Sequence, residues 1–278
     1  MLLHNLCRLL AAAVVAVSGL TVSVAQAANI AVWSPFAGSP DLPAGHTYTE
    51  VSGADIDNGL LSSYDALLLG HIYNTISTTT CSQLQTFLNA GKGVVSEWNG
   101  ATLLFTQTGS LPIAPVNMSC TLFPGTVTGG KADFGSNRPI TLAIPSSPLV
   151  SGLSNPFSMQ SGSEFVFRIA GLGAEWTVAG TSDLGGTVYP TVMVAKYNGA
   201  GCVALSPFDY FDTLGAGSNS QILLSNMLNY VLNPQNGCAM RASSPAVPVP
   251  ALSNTMLWLL CALVLLAAAP AVQRSMRR

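Results

Sequence analysis

The order of apolar patterns along the chain predicts an α/β fold, with a mostly parallel sheet flanked by helices. Two short runs, "DALLLG" at residues 65–70 and "GVVSEW" at 93–98, are apolar without alternation. That pattern fits strands buried on both faces, as in a parallel sheet. Between them Leu84, Phe87 and Leu88 recur at i, i+3 and i+4, one face of a helix.

The remaining elements follow in order. "NIAVWSP" (29–35) is an apolar run stopped by Ser-Pro and reads as a first strand. "HTYTEVS" (46–52) is rich in β-branched and aromatic residues and reads as a second, with His46 in a structural role. The helix carrying Leu84 is capped by Thr79 or Thr80 and ended by Gly91. From Thr106 to Ser163 no helical period appears and Pro, Gly, Ser and Thr dominate, which predicts an irregular, partly β insertion carrying Cys120. "EFVFRI", "EWTVAG" and "TVYPTVMVAKYNGAGCVALSPFDYF" restore strands, with Asn198-Gly199 as a hairpin turn. The last helix, "NSQILLSNMLNYVLNP", sets Ile222, Leu223, Met227, Leu228, Val231 and Leu232 on one face and is stopped by Pro234.

The two ends differ from this body. Residues 1–27 carry one cation, Arg8, then an apolar stretch from Leu9 to Val24, then Ala25 and Ala27 flanking Gln26. This is the pattern of a secretory signal peptide cut after Ala27. The domain is expected over 28–240, with the insertion at 106–163. A Pro/Ser linker comes next at 241–250 and a C-terminal segment at 251–278, whose apolar run 256–272 reads as a transmembrane helix. All twelve acidic residues lie between Asp41 and Asp212, against six basic residues between Ala28 and Arg241, so the body is acidic and the ends are basic. An acidic body without a Lys/Arg cluster argues against nucleic acid as a partner.

Four cysteines fall in the body: Cys81, Cys120, Cys202 and Cys238. An even number in an exported domain suggests two disulfides, with three possible pairings. The preferred set is Cys81–Cys120 with Cys202–Cys238, because the second bridge would pin the last helix to the last strand. No C-x2-C spacing is present, which argues against a four-thiolate metal site. Neither a metal nor another cofactor is expected.

Two stretches, "YDALLLGH…LQTFLNAGKGVVSEWNG" and "YPTVMVAKYNGAGCVALSPFDYF…QILLSNMLNYVLN", resemble the class I glutamine amidotransferase-like fold, especially its trehalose-utilisation-type relatives. The resemblance covers about half of the body and implies a flavodoxin-like scaffold. Amidotransferases of this class place a cysteine on a tight turn after the central strand. Here that place reads Ser96-Glu97-Trp98-Asn99-Gly100, with no cysteine and no Gly-x-Ser-x-Gly elbow. After the last strand the relatives' Gly-His is replaced by Pro207-Phe208-Asp209.

The chain's last segment resembles the IPTL/PEP-type C-terminal sorting signals of Gram-negative bacteria. Val249, Pro250, Ala251, Leu252 and Ser253 match the proline motif, 256–272 the apolar helix, and Arg274, Arg277 and Arg278 the basic end. The resemblance implies an exosortase-type membrane transpeptidase as partner. It also implies anchoring in the inner membrane facing the periplasm, then delivery to the cell envelope or the extracellular matrix.

In open α/β sheets ligands sit outside the carboxyl ends of the strands. The residues expected there are His71, Glu97 and Asp209, with Asp212 beyond. They suit an acid/base cluster in which His71 is the base and Glu97 or Asp209 orients it. The alternative for each is a polar group that caps a helix or holds a loop. Asn99-Gly100 is either an anion-binding turn or a plain one. Trp98, Tyr210 and Phe211 flank the same edge, as packing residues or as a platform for a sugar ring. Two functions therefore compete: a non-catalytic amidotransferase-like domain acting in binding or matrix structure, and a secreted hydrolase or lyase acting on a glycan.

Overall fold

A computed structural model describes residues 27–70, 72, 76–108, 120–130, 138–159 and 166–236. His71, Cys238, the signal-peptide residues up to Gln26, the linker, the sorting motif and the apolar run 256–272 lie outside the described residues. Among the described residues no helix is long and apolar enough to cross a membrane. The chain divides into two units, Met1–Met240 and Arg241–Arg278, and every described strand and helix belongs to the first.

The strands are β1 (Asn29–Trp33), β2 (Thr47–Glu50), β3 (Ala66–Leu69), β4 (Gly93–Glu97), β5 (Thr106–Gln107), β6 (Thr126–Gly130), β7 (Thr141–Leu142), β8 (Val166–Ala170), β9 (Trp176–Asp183), β10 (Val188–Lys196) and β11 (Cys202–Ser206). The α-helices are α1 (Gly53–Asp57), α2 (Thr78–Asn89), α3 (Ala101–Leu104) and α4 (Asn219–Leu232). The main sheet runs β2-β1-β3-β4-β11-β10-β9-β7. Its β2 to β11 part is parallel, whereas β10, β9 and β7 are added antiparallel. The sheet is thus mixed, because the β9–β10–β11 run is a meander that needs no crossover helix.

β3 explains its own sequence. All four of its residues are buried: Leu67 and Leu69 face one core with Leu84, Phe87 and Leu88 of α2, and Ala66 and Leu68 face the other with Leu223, Met227 and Val231 of α4. With a helix on each side, no face is left for polar residues, and alternation disappears. Truncating Leu67 or Leu68 to Ala would cost about 2–5 kcal/mol.

Two local expectations are corrected. The cap of α2 is Ser77, not Thr79 or Thr80; its hydroxyl accepts from the Thr80 N–H at 3.0 Å and donates to the Asp57 carboxylate at 2.9 Å. In α4 the buried stripe includes Leu224, while Ile222 and Leu232 sit at its margin.

The insertion forms a second sheet, β5-β6-β8, completed by β8 from beyond its expected end. Cys81 and Cys120 are bonded, with Cα atoms 5.2 Å apart, and tie α2 to the insertion. Cys202 is disulfide-bonded. At its other end the small sheet is stitched to the segment after β11: the Phe167 N–H donates to Pro207 O at 3.0 Å, and Val166 bridges Phe208.

Candidate functional site

The carboxyl ends of β3, β4 and β11 meet side by side, because β4 pairs with both neighbours in parallel. This is the edge at which open α/β sheets bind ligands. Glu97 closes β4 and pairs in register with Ser206 of β11. Its carboxylate is fully buried, and its Oε2 accepts the backbone N–H groups of Tyr210 at 3.0 Å and Phe211 at 3.2 Å. One side chain thereby fixes the loop that follows Asp209. A buried anion needs such donors, and charge-assisted bonds of this kind are the strong ones.

Gly70 lies against the Glu97 side chain. A Cβ at Gly70 would overlap its carboxylate, lying 2.6 Å from Cγ. The Tyr210 phenol is buried and directs its hydroxyl at Met227 Sδ, 3.8 Å away. Burial, and then the charge on Glu97, hold this phenol's pKa well above the usual tyrosine value.

After Glu97 the chain turns sharply into a 3-10 turn, Trp98–Gly100, and then α3. Trp98 sits at φ 35, a left-handed conformation that is a genuine outlier for a bulky residue. It is the strand–elbow–helix geometry that presents a nucleophile in α/β hydrolases. Here the side chain at the elbow is an indole that is only 2% exposed, packed at 6.3 Å centroid separation from Phe167. The backbone N–H of Trp98 donates to Phe208 O at 3.1 Å. A Cβ at Gly100 would meet Leu69 O and, at 2.6 Å, Ser96 Oγ, so the elbow passes against β3.

Asn99 is fully buried, and its amide is used at both ends: Oδ1 accepts from Ile72 N–H at 3.0 Å and Nδ2 donates to Ile72 O at 2.8 Å. Its side chain clamps the segment after β3. Asp209 is buried on the loop after β11, and Asp212 lies in the turn Phe211–Thr213. Glu97 and Asp209 therefore come to one edge of the sheet, while His71 lies outside the described residues. Trp98, Tyr210 and Phe211 are packed in the cores and present no stacking face. His46 holds the start of β1, accepting the Ala28 N–H at 3.2 Å.

Ser96 and Ser206, one on each strand of the β4–β11 pair, are given no role by the sequence. Both hydroxyls are buried with no hydrogen-bond partner among the described residues. Each is a polar residue near the end of a largely apolar strand.

No family model and no curated protein matches the chain. Solved structures do. A ThuA-like protein from Bacteroides uniformis superposes with a TM-score of 0.54 at 12% identity, over 76% of this chain and 94% of that one. A ThuA-like protein from Parabacteroides merdae gives 0.48 at 13% identity, over 77% and 91%. A β-galactosidase from Rahnella sp. also gives 0.48, at 12% identity, over 76% of this chain and 31% of that one. At such identities the likeness concerns the fold, and the Bacteroides uniformis protein carries it. The α/β fold of this chain is therefore similar to that of a ThuA-like protein.

Proposed function

We propose that this is an exported, envelope- or matrix-associated protein whose amidotransferase-like domain binds or scaffolds and does not catalyse. One observation carries the reading: the elbow after β4 holds a buried tryptophan, and Oε2 of the adjacent, fully buried Glu97 accepts the Tyr210 and Phe211 N–H groups. A general base must reach a substrate proton. A fully buried group bonded to the backbone is suited to holding a loop instead.

The location rests on sequence features. The signal peptide of residues 1–27, the proline motif Val249–Ser253, the apolar run 256–272 and the closing arginines support delivery to the inner membrane and processing by an exosortase-type transpeptidase. The disulfide between Cys81 and Cys120 accords with an oxidising compartment.

Two experiments test this. Mass spectrometry of the mature protein should find Met256–Arg278 removed, and an intact C-terminus would count against processing. A screen of the purified protein against glycans and metabolites should find binding without turnover. Turnover abolished by His71→Ala or Glu97→Gln, with the fold intact, would establish the hydrolase or lyase reading through His71, Glu97 and Asp209.

A further inference from the structure

Three Asn-Gly pairs lie wholly within the described residues: Asn58-Gly59, Asn99-Gly100 and Asn198-Gly199. Asparagine before glycine is prone to a self-modification. The glycine amide nitrogen, on losing its proton, attacks the asparagine Cγ, a five-membered succinimide closes, and the Cγ–Nδ2 bond breaks to release ammonia. Water then opens the ring at either carbonyl, giving aspartate or, with an extra methylene in the backbone, isoaspartate. The step needs an amide nitrogen that is not hydrogen-bonded, space for the ring, and an accessible side chain.

The structure separates the pairs on these terms. Gly59 N–H is bonded to Ile56 O at 2.9 Å, so its nitrogen is engaged. Asn99 is fully buried with both ends of its amide held by Ile72, and Gly100 is crowded by Leu69 and Ser96. Asn198 and Gly199 form the exposed centre of the turn between β10 and β11. The bonds that close that turn, Ala200 N–H to Tyr197 O at 2.9 Å and Tyr197 N–H to Gly201 O at 2.7 Å, leave the Gly199 N–H uncommitted. No atom lies within 4 Å of a Cβ placed on Gly199. The side chain of Asn198 makes one exposed contact, Nδ2 donating to Asn89 Oδ1 at 3.2 Å.

We propose that Asn198 is a site of spontaneous deamidation, the first of these three pairs to convert, and that the conversion loosens the β10–β11 turn. Aspartate would reverse the roles in that contact, so that the Asn89 amide must turn its Nδ2 toward the new carboxylate. Isoaspartate would lengthen the backbone between Lys196 and Cys202, which face each other in register, and disturb the turn that seats Gly201 N–H on Leu88 O at 2.8 Å.

The test is to age the purified full chain at mildly alkaline pH and map peptides by mass spectrometry with isoaspartate detection. A urea-unfolded sample is aged in parallel. In the folded protein the Asn198 peptide should convert at least several-fold faster than those containing Asn58 and Asn99. In the unfolded sample the three rates should converge. Equal or faster conversion of Asn58 or Asn99 in the folded protein would overturn the proposal, as would an unchanged Asn198 while the unfolded chain converts. An Asn198→Asp variant that melts with the wild type would overturn the loosening.

Discussion

The Glu97 bridge supplies the sharpest test of the site. Glu97→Ala removes one carboxylate and strands two buried amides, those of Tyr210 and Phe211. Hydrogen bonds to charged groups contribute about 1.5–3 kcal/mol each, so the loss should be about 3–6 kcal/mol. Glu97→Gln keeps a carbonyl with two lone pairs and can accept from both amides, at roughly half the strength. Its cost should therefore be about half as large, and the Tyr210 phenol should titrate lower than in the wild type, because the neighbouring charge is gone. Gly70→Ala attacks the same contact from the opposite side, since its Cβ would overlap the Glu97 carboxylate. Crowding of that kind costs about 1–3 kcal/mol. In the Glu97→Ala background the added methyl has room, so the double variant should be more stable than the sum of the singles by about 1 kcal/mol or more. Equilibrium urea unfolding followed by tryptophan fluorescence reads all four proteins. A Glu97→Ala variant within about 0.5 kcal/mol of the wild type, or strict additivity with Gly70→Ala, would refute the bridge as the support of this edge.

Replacing Cys81 and Cys120 by Ser opens a loop spanning 39 positions and should cost about 4 kcal/mol on the chain-entropy account, read by the same unfolding assay. At Trp98 the usual order of small residues should invert. Gly accepts φ 35 freely and Ala does not, so Trp98→Gly should be less destabilised than Trp98→Ala by about 1 kcal/mol, though both lose the indole packing. Asp55 lies below the ordinary carboxylate range because it accepts from the Ser52 hydroxyl and the Ser52 N–H. Its folded pKa is lowered, so the contribution is present above the unfolded carboxylate pKa and fades as pH falls through the folded one. In Ser52→Ala the NMR titration midpoint of Asp55 should rise but stay lowered, because the backbone donor remains; an unchanged midpoint would contradict the assignment.

Whatever local pattern controls is legible in the sequence. The unbroken apolar run of β3 signals a strand with two covered faces, and Leu84, Phe87 and Leu88 mark the inward side of α2. Gly91 has φ 77 just past the α2 cap, as the stop signal requires. The cap itself falls on Ser77 rather than on a threonine because Ser77 is secured by Asp57, twenty residues earlier and on another element. Topology alone brings Glu97 and Asp209 to one edge. The use of Glu97 stays hidden, since its donors are backbone amides that any residue would supply. The conformation of Trp98 is equally hidden, because side-chain identity argues against a positive φ that the elbow imposes.

The neighbours of β4 carry a consequence for how this chain becomes a protein. One side of β4 is filled by β3 a short distance earlier, but the other waits for β11, and Glu97 waits for amides 113 and 114 positions downstream. During synthesis the earlier portion emerges with an apolar strand edge and no local means of covering it. A fragment ending before Cys202 would display Val94 and Val95 on that open edge and tend to self-associate. The cover for that edge arrives only with β11 and the loop beyond it, so the residues before Cys202 depend on the end of the domain for a closed sheet.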